Sequence, residues 1–145
     1  MEASVRTPMH LWAVGIVSAL WNAMGALDYT MTQTRNATWM AQMSPEQIAW
    51  FDSAPIVAHA SWAFGVWGAF LGSLLLLARS RFAVWSFILS LAGLAVNTIF
   101  QMTKPMPGGP HMDTPGMLLF HGLIWAVALF LLIYALRMRR SGVLR

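Results

Sequence analysis

The segment from Ala54 to Arg81 limits the fold more than any other part of the chain. It contains no Asp, Glu, Lys or Arg between Pro55 and Ala78. About 24 helical residues at 1.5 Å each reach about 36 Å, which is enough to cross the hydrocarbon core of a bilayer with some tilt. The segment therefore predicts a transmembrane helix, and the rest of the chain has to be compatible with a membrane fold.

The whole composition agrees with a membrane protein. The 145 residues are 58% hydrophobic and 10% charged, whereas soluble domains carry about 25% charged residues. We predict an all-α fold, a membrane four-helix up-and-down bundle formed by a single integral membrane domain over residues 1–145. A connection of only three residues, 79–81, makes the second and third helices antiparallel neighbours. The four predicted spans cover about residues 9–28, 55–78, 82–103 and 115–136.

The long polar connection between the first two spans contains one further helix. Ser44 is a good N-cap residue, Pro45 suits the first helical position, and Gln47 completes a capping box. The pattern predicts a short helix over about residues 44–52. Its apolar side chains would let it lie on the membrane surface or cover the end of the bundle.

Charge distribution predicts the orientation. Segments 1–8, 79–81 and 137–145 together hold seven basic residues and one acidic residue, whereas the connections on the opposite side hold two basic and four acidic ones. The positive-inside rule then places both termini in the cytoplasm and the short helix outside. We expect a multi-pass protein of the bacterial inner (plasma) membrane, with the lipid bilayer as its surroundings and no nucleic acid among its partners. The absence of cysteine excludes thiol chemistry.

Five polar side chains are predicted to lie at similar depth near the outer ends of the spans. Ionisable and amide groups at membrane depth are candidates for ion, proton or substrate binding. Asp28, at the end of the predicted first span, would need a cationic or donor partner, for which His59 and Lys104 are candidates. The alternative is that these groups only hydrogen-bond to one another and to water. The candidate outer polar cluster consists of Asp28, His59, Asn97, Gln101 and His121.

Two kinds of cofactor site are conceivable at the outer face. His59 and His121 lie on alternate helices and could supply two axial ligands to a haem b. Several methionines on the same side, with His111 beside Met112, are soft donors that suit copper as Cu(I). Neither pattern includes an attachment motif or a repeated ligand spacing. The cofactor is therefore unknown, and we expect none rather than haem b or copper.

A stripe of small residues on the second span predicts close helix packing. Ser61, Gly65, Gly68 and Gly72 share one face, and His59 points almost the opposite way. If His59 faces the bundle centre, the stripe faces outward and offers a surface for a protein partner or a homo-oligomer. If the stripe packs within the bundle, His59 faces the lipid headgroups.

Two stretches carry a resemblance to known sequences. With Trp21–Thr32 and Gly65–Leu77, the chain resembles a group of uncharacterised small four-helix inner-membrane proteins of proteobacteria, some of them loosely labelled sugar transporters. The resemblance implies the four-helix fold but no established reaction or substrate. It does not extend to His111, Met112 or His121.

From these observations we expect a non-enzymatic accessory or interaction subunit of a membrane complex or homo-oligomer. The alternative is a small-molecule transporter that works as an oligomer, with the polar face of the third span lining its path. Transport normally requires a charged residue near the bilayer midplane, and no predicted span has one there.

Overall fold

The computed structural model describes residues 5–108 and 114–145, and within them the chain is a helical bundle. Four of its helices are long and apolar enough to cross a bilayer, as in a multi-pass membrane protein. The predicted all-α bundle is confirmed. The helices are α1 (Met9–Gln33), α2 (Ala37–Met40), α3 (Pro45–Ser53), α4 (Ile56–Leu77), α5 (Phe82–Thr103) and α6 (Pro115–Arg140).

Two spanning helices are longer than their apolar segments. α1 continues to Gln33, and in its last turns the hydroxyls of Thr30 and Thr32 donate to the carbonyls of Ala26 and Asp28, at 2.7 and 2.8 Å. α6 continues through three arginines to Arg140. Basic side chains in the last turn of a helix interact favourably with the helix dipole. Asp28 is therefore inside α1, not at its end as predicted.

The spanning helices pack in chain order with alternating direction. Asn22 of α1 donates to Ala69 O and Ser73 Oγ of α4, at 3.2 and 3.0 Å. On the other side of α4, the hydroxyls of Ser86 and Ser90 of α5 donate to carbonyls of α4 at 2.7 and 2.6 Å. α6 completes the bundle beside α5.

The buried hydrophobic core lies at the end of the bundle that carries both termini, called here the terminal end. Leu11 of α1, Leu76 of α4, Phe87 of α5 and Leu131 of α6 are almost completely buried there in one cluster. His10 Nδ1 and the Tyr134 hydroxyl are 2.5 Å apart and join α1 to α6 at the same level. The terminal end is therefore closed.

The C-terminal tail helps to close it. Val143 and Leu144 are buried in the same cluster. The backbone of Arg145 exchanges two hydrogen bonds with the α4–α5 turn, since its amide donates to Arg79 O at 2.8 Å and its carbonyl accepts from Arg81 N at 2.9 Å. Gly142, with φ +76°, lets the chain reverse after α6.

α2 and α3 cover the opposite end and are together called the lid. α3 begins at the predicted capping box, in which Ser44 and Gln47 satisfy each other's backbone amides. α2 was not predicted, although Asn36 accepts from Trp39 N at 3.3 Å as an ordinary N-cap. Arg35 and Asp52 form an exposed ion pair between the end of α1 and α3. The segment therefore covers the bundle, one of the two predicted positions.

Candidate functional site

A cavity of about 470 Å³ lies under the lid, between the lid ends of the four spanning helices. A second cavity of about 220 Å³ adjoins it on the side of the terminal end and reaches Phe87 and Leu131 of the packed cluster. Val66, Leu94 and Ile124 line both spaces. The bundle is thus packed at one end and hollow at the other, with a total space in the range of small-molecule sites.

All five residues of the predicted polar cluster line the larger cavity. Asp28 comes from α1, His59 from α4, Asn97 and Gln101 from α5, and His121 from α6. Each spanning helix therefore contributes at least one polar group to the same space. Whether these groups bind anything stays a prediction.

Aromatic side chains form a large part of the remaining wall. Trp62 of α4 stacks on Phe51 of α3 with ring centroids 5.7 Å apart and meets Tyr29 edge-on at 5.0 Å. Trp50 of α3 lies 5.5 Å from Phe100 of α5. The rings thus connect the lid to α4 and α5, and Tyr29 of α1 joins them through Trp62. The six aromatic residues that line the cavity are Trp39, Trp50, Phe51, Trp62, Phe100 and Phe120.

His59 fastens the lid and has no free ring nitrogen. Its Nε2 lies 3.2 Å from Phe51 O, which can only accept, so this nitrogen carries the proton. Its Nδ1 then accepts from Gln33 Nε2 at 2.9 Å. The imidazole thus ties α1 and α3 to α4.

Asn97 and Gln101 form a short ladder along α5. Asn97 Nδ2 donates to Ala58 O at the limit of 3.5 Å, and Gln101 Nε2 donates to Asn97 Oδ1 at 2.6 Å. Gln101 uses its nitrogen as the donor, so its carbonyl oxygen Oε1 is left without a partner among the described residues. The ladder therefore joins α5 to α4 and leaves Gln101 Oε1 as a hydrogen-bond acceptor at the cavity.

The carboxylate of Asp28 accepts one hydrogen bond but has no cationic partner among the described residues. Its Oδ1 accepts from Trp39 Nε1 at 2.9 Å. The predicted partners do not supply a charge, because His59 is engaged elsewhere and Lys104 contributes only its carbonyl, which accepts from Trp50 Nε1 at 3.1 Å. In the described part of the chain, the one salt bridge is that of Arg35 with Asp52.

His121 contributes an unpartnered nitrogen. Its Nδ1 is buried and has no hydrogen-bond partner within residues 5–108 and 114–145, and no other side-chain nitrogen or oxygen there combines those two properties. A buried polar atom without a partner costs about 1–3 kcal/mol. A bound ligand that supplied the missing hydrogen bond would remove that cost.

The small-residue stripe packs inside the bundle, yet His59 does not face lipid. Gly68 lies against the backbone of Ser90, where an added Cβ would be 3.1 Å from the amide nitrogen. Gly72 accommodates the ring of Phe87. The predicted choice between the two faces of α4 was wrong, because α5 covers the stripe while the lid and α1 cover the opposite face. The stripe is therefore not free for another chain.

Metal binding has limited support from the donor atoms. His59 uses both ring nitrogens within the protein, so the predicted pair with His121 lacks a free donor on one side. His111 and Met112 lie outside the described residues. Within those residues, no group of three or more His, Asp or Glu side chains is arranged to hold a metal. The soft donors that line the cavity are Met43, Met106, Met117 and His121, a set that would suit Cu(I) by chemistry.

Neither a family model, nor a curated protein, nor a solved structure matches this chain. The resemblance to small proteobacterial membrane proteins therefore stays a prediction. Function is inferred from the cavity alone.

The aromatic wall of the cavity was not predicted from the sequence. Trp62 and Val66 follow His59 at steps of three and four residues, so they share its helix face. Extending the periodicity from His59 would have identified them. Phe120 could not have been found this way, because the rotation of α6 is set by packing against α5.

Proposed function

We propose that the protein binds a small, largely apolar molecule in the hollow half of its bundle. The observation that carries the proposal is the cavity of about 470 Å³, which unites the five polar residues from all four spanning helices with an aromatic wall. Binding pockets in general combine an apolar wall with a few polar groups that fix orientation. By the positive-inside rule, the cavity belongs to the outer half of the bacterial inner membrane and both termini lie in the cytoplasm.

The route into the cavity runs between α1 and α6. Within the described residues, the one hydrogen bond between these helices is that of His10 with Tyr134, at the terminal end. Toward the lid the two helices form opposite walls, with Met24 and Gly25 on one side and Ile124 and Ala128 on the other. A molecule dissolved in the bilayer could enter from the side, without passing the lid.

The test uses a matched pair of substitutions on α6. Ile124→Trp introduces a bulky indole ring at a position that lines both cavities, whereas Leu123→Trp introduces the same ring at an exposed neighbouring position. We expect native mass spectrometry of gently extracted protein to show a bound small molecule in the wild type and in Leu123→Trp, and to show it lost in Ile124→Trp. Equal occupancy in all three proteins, or no bound molecule in the wild type under any mild extraction, would contradict the proposal.

Transport of the bound molecule is a second candidate, favoured by the loose packing of α6. Only 6% of the residues in its apolar segment are buried within the bundle, against 28% in each of the other spans. Movement of α6 could open the cavity toward the terminal end. Transport predicts substrate-dependent uptake into liposomes that Asn97→Leu abolishes, whereas binding without uptake would exclude it.

The accessory-subunit function stays a prediction with less support than before. The stripe of Ser61, Gly65, Gly68 and Gly72 that suggested a partner surface is engaged by α5. A partner or a second copy would have to use the exposed apolar faces that lipid otherwise covers. A complex that persists in mild detergent, and that Leu20→Trp at an exposed apolar position of α1 disrupts without unfolding the monomer, would restore it.

A further inference from the structure

The charges around the larger cavity are one-sided. Asp28 is the only charged residue among those that line it in the described part of the chain, and no lysine or arginine is among them. Arg35 lies nearby but pairs with Asp52 at the outer surface. His59 uses both ring nitrogens in hydrogen bonds within the protein. The space therefore contains one carboxylate and no fixed positive charge.

The carboxylate has a vacant side. Asp28 Oδ1 accepts from Trp39 Nε1, and Oδ2 has no hydrogen-bond partner within residues 5–108 and 114–145. Asp28 is an exposed residue that also lines the cavity, so its free oxygen is open to solvent and to a ligand. A carboxylate beside an apolar cavity attracts a positively charged ligand and repels an anion.

The aromatic wall has the same preference. A cation within about 6 Å of a ring face is attracted by the ring quadrupole, and tryptophan is the strongest such ring. Three tryptophans line the cavity, and Trp39 is held beside Asp28 by their hydrogen bond. An anion would gain nothing from these rings and would be repelled by Asp28.

The remaining spare atoms can accept hydrogen bonds, Gln101 Oε1 always and His121 Nδ1 in the tautomer that is protonated at Nε2. Gln101 Oε1 and His121 Nδ1 both lack a partner among the described residues, and each can accept from an N–H group. Neither atom requires an acidic or anionic ligand. Charge, ring chemistry and spare acceptors thus point in the same direction.

We propose that the ligand is a small hydrophobic organic cation, with its charged group beside Asp28 and Trp39 and its apolar part directed toward Val66 and Ile124. This inference rests on the proposed binding function and specifies its ligand class. Asp28 supplies the charge, the tryptophans supply the cation–π contacts, and the deeper cavity accommodates the apolar part. Neutral molecules of the same shape would bind by apolar contact alone.

The test compares two probes of the same shape, benzyltrimethylammonium and its uncharged isostere neopentylbenzene. Titration calorimetry of the full chain in detergent, with Ile124→Trp as the blank, should show the cation binding about tenfold or more tighter than the neutral probe to the wild type. This comparison needs no substitution at the charged residue. Equal binding of the two probes, or binding of the neutral probe alone, would overturn the cation assignment and leave the binding function intact.

The charge is tested separately with Asp28→Asn, which keeps an oxygen to accept from Trp39. We expect this substitution to weaken cation binding about tenfold and to leave the affinity for the neutral probe unchanged. The variant should unfold at the same temperature as the wild type. Glu46→Gln removes the same charge from the exposed part of the lid and should leave both affinities unchanged. If Asp28→Asn folds and binds the cation as tightly as the wild type, Asp28 is not the counter-charge. If neither probe binds to the wild type, the cation proposal fails, and the occupancy measured by native mass spectrometry decides the binding function independently.

Discussion

Gly93 is the position where one methyl group should cost the fold most. A Cβ built there would lie 2.5 Å from Ser61 O and 2.6 Å from Gly65 N, both backbone atoms of α4. The shorter distance is about 0.9 Å less than the 3.4 Å at which ordinary van der Waals contact begins. Since backbone atoms cannot rotate away, α4 and α5 must separate.

The cost of Gly93→Ala can be worked from that separation. Overpacking of a close contact costs about 1–3 kcal/mol. Moving the helices apart also stretches the bonds that Ser86 and Ser90 donate to α4, and bonds between membrane helices are worth about 0.6 kcal/mol each. Alanine regains at most about 1 kcal/mol of helix propensity. We therefore expect a net destabilisation of about 2 kcal/mol.

The matched control is Gly122→Ala on α6. A Cβ at Gly122 would meet nothing within 4 Å, so only the gain in propensity remains, and the free energy of unfolding should rise by up to about 1 kcal/mol. Both variants can be unfolded in mixed micelles of SDS and a mild detergent, with circular dichroism as the readout. Equal stability of Gly93→Ala and the wild type would refute the close α4–α5 contact.

Two further predictions concern the lid. Trp50→Phe removes the donor to Lys104 O while keeping a ring, so amide hydrogen exchange in α3 should become faster by the equivalent of about 1 kcal/mol, whereas Trp85→Phe at an exposed position should change nothing. Hydrogen bonds from the backbone and then from Ser44 lower the pKa of Glu46, so its contribution to lid stability is complete above the ordinary carboxyl pKa and is lost as the pH falls through the lowered value. Glu46→Gln should remove that part of the acid dependence of α3 exchange, and an unchanged pH profile would show that Glu46 does not contribute.

Much of the architecture could be predicted because it follows from local chemistry. Runs of residues without charge locate the spans, and the capping box at Ser44 locates α3. The closing of the terminal end could not be predicted, since nothing local in Val143 and Leu144 shows that the tail folds back onto the α4–α5 turn. Such contacts depend on the relative placement of three distant segments. The ends of α1 and α6 were missed because polar side chains can continue a helix beyond its apolar part.

The site shows the same division between local pattern and global packing. Depth along each span brought His59, Asn97 and His121 to one level, and they do line one cavity. The depth of a residue in its span does not determine how the helix is rotated about its axis, however. The rotation of α4 was misjudged because each face was expected to meet either the bundle centre or the outside of the bundle. α4 lies between α1 and α5, so both of its faces contact protein. A helix in that central position needs small residues on one side and can still direct polar ones to a cavity on the other.

The polar groups inside the bundle divide into two classes by how many of their atoms are used. Asn22 donates to two acceptors of α4, and His59 uses both ring nitrogens, so these residues hold helices together. Asp28 and His121 each keep an unused atom at the same cavity. The unused nitrogen of His121 is buried and costs free energy that packing could avoid, whereas Asp28 is exposed beside the cavity and its free oxygen is open to a ligand. This distinction separates the residues to test for binding from those to test for stability, and it places Asp28 and His121 in the first group.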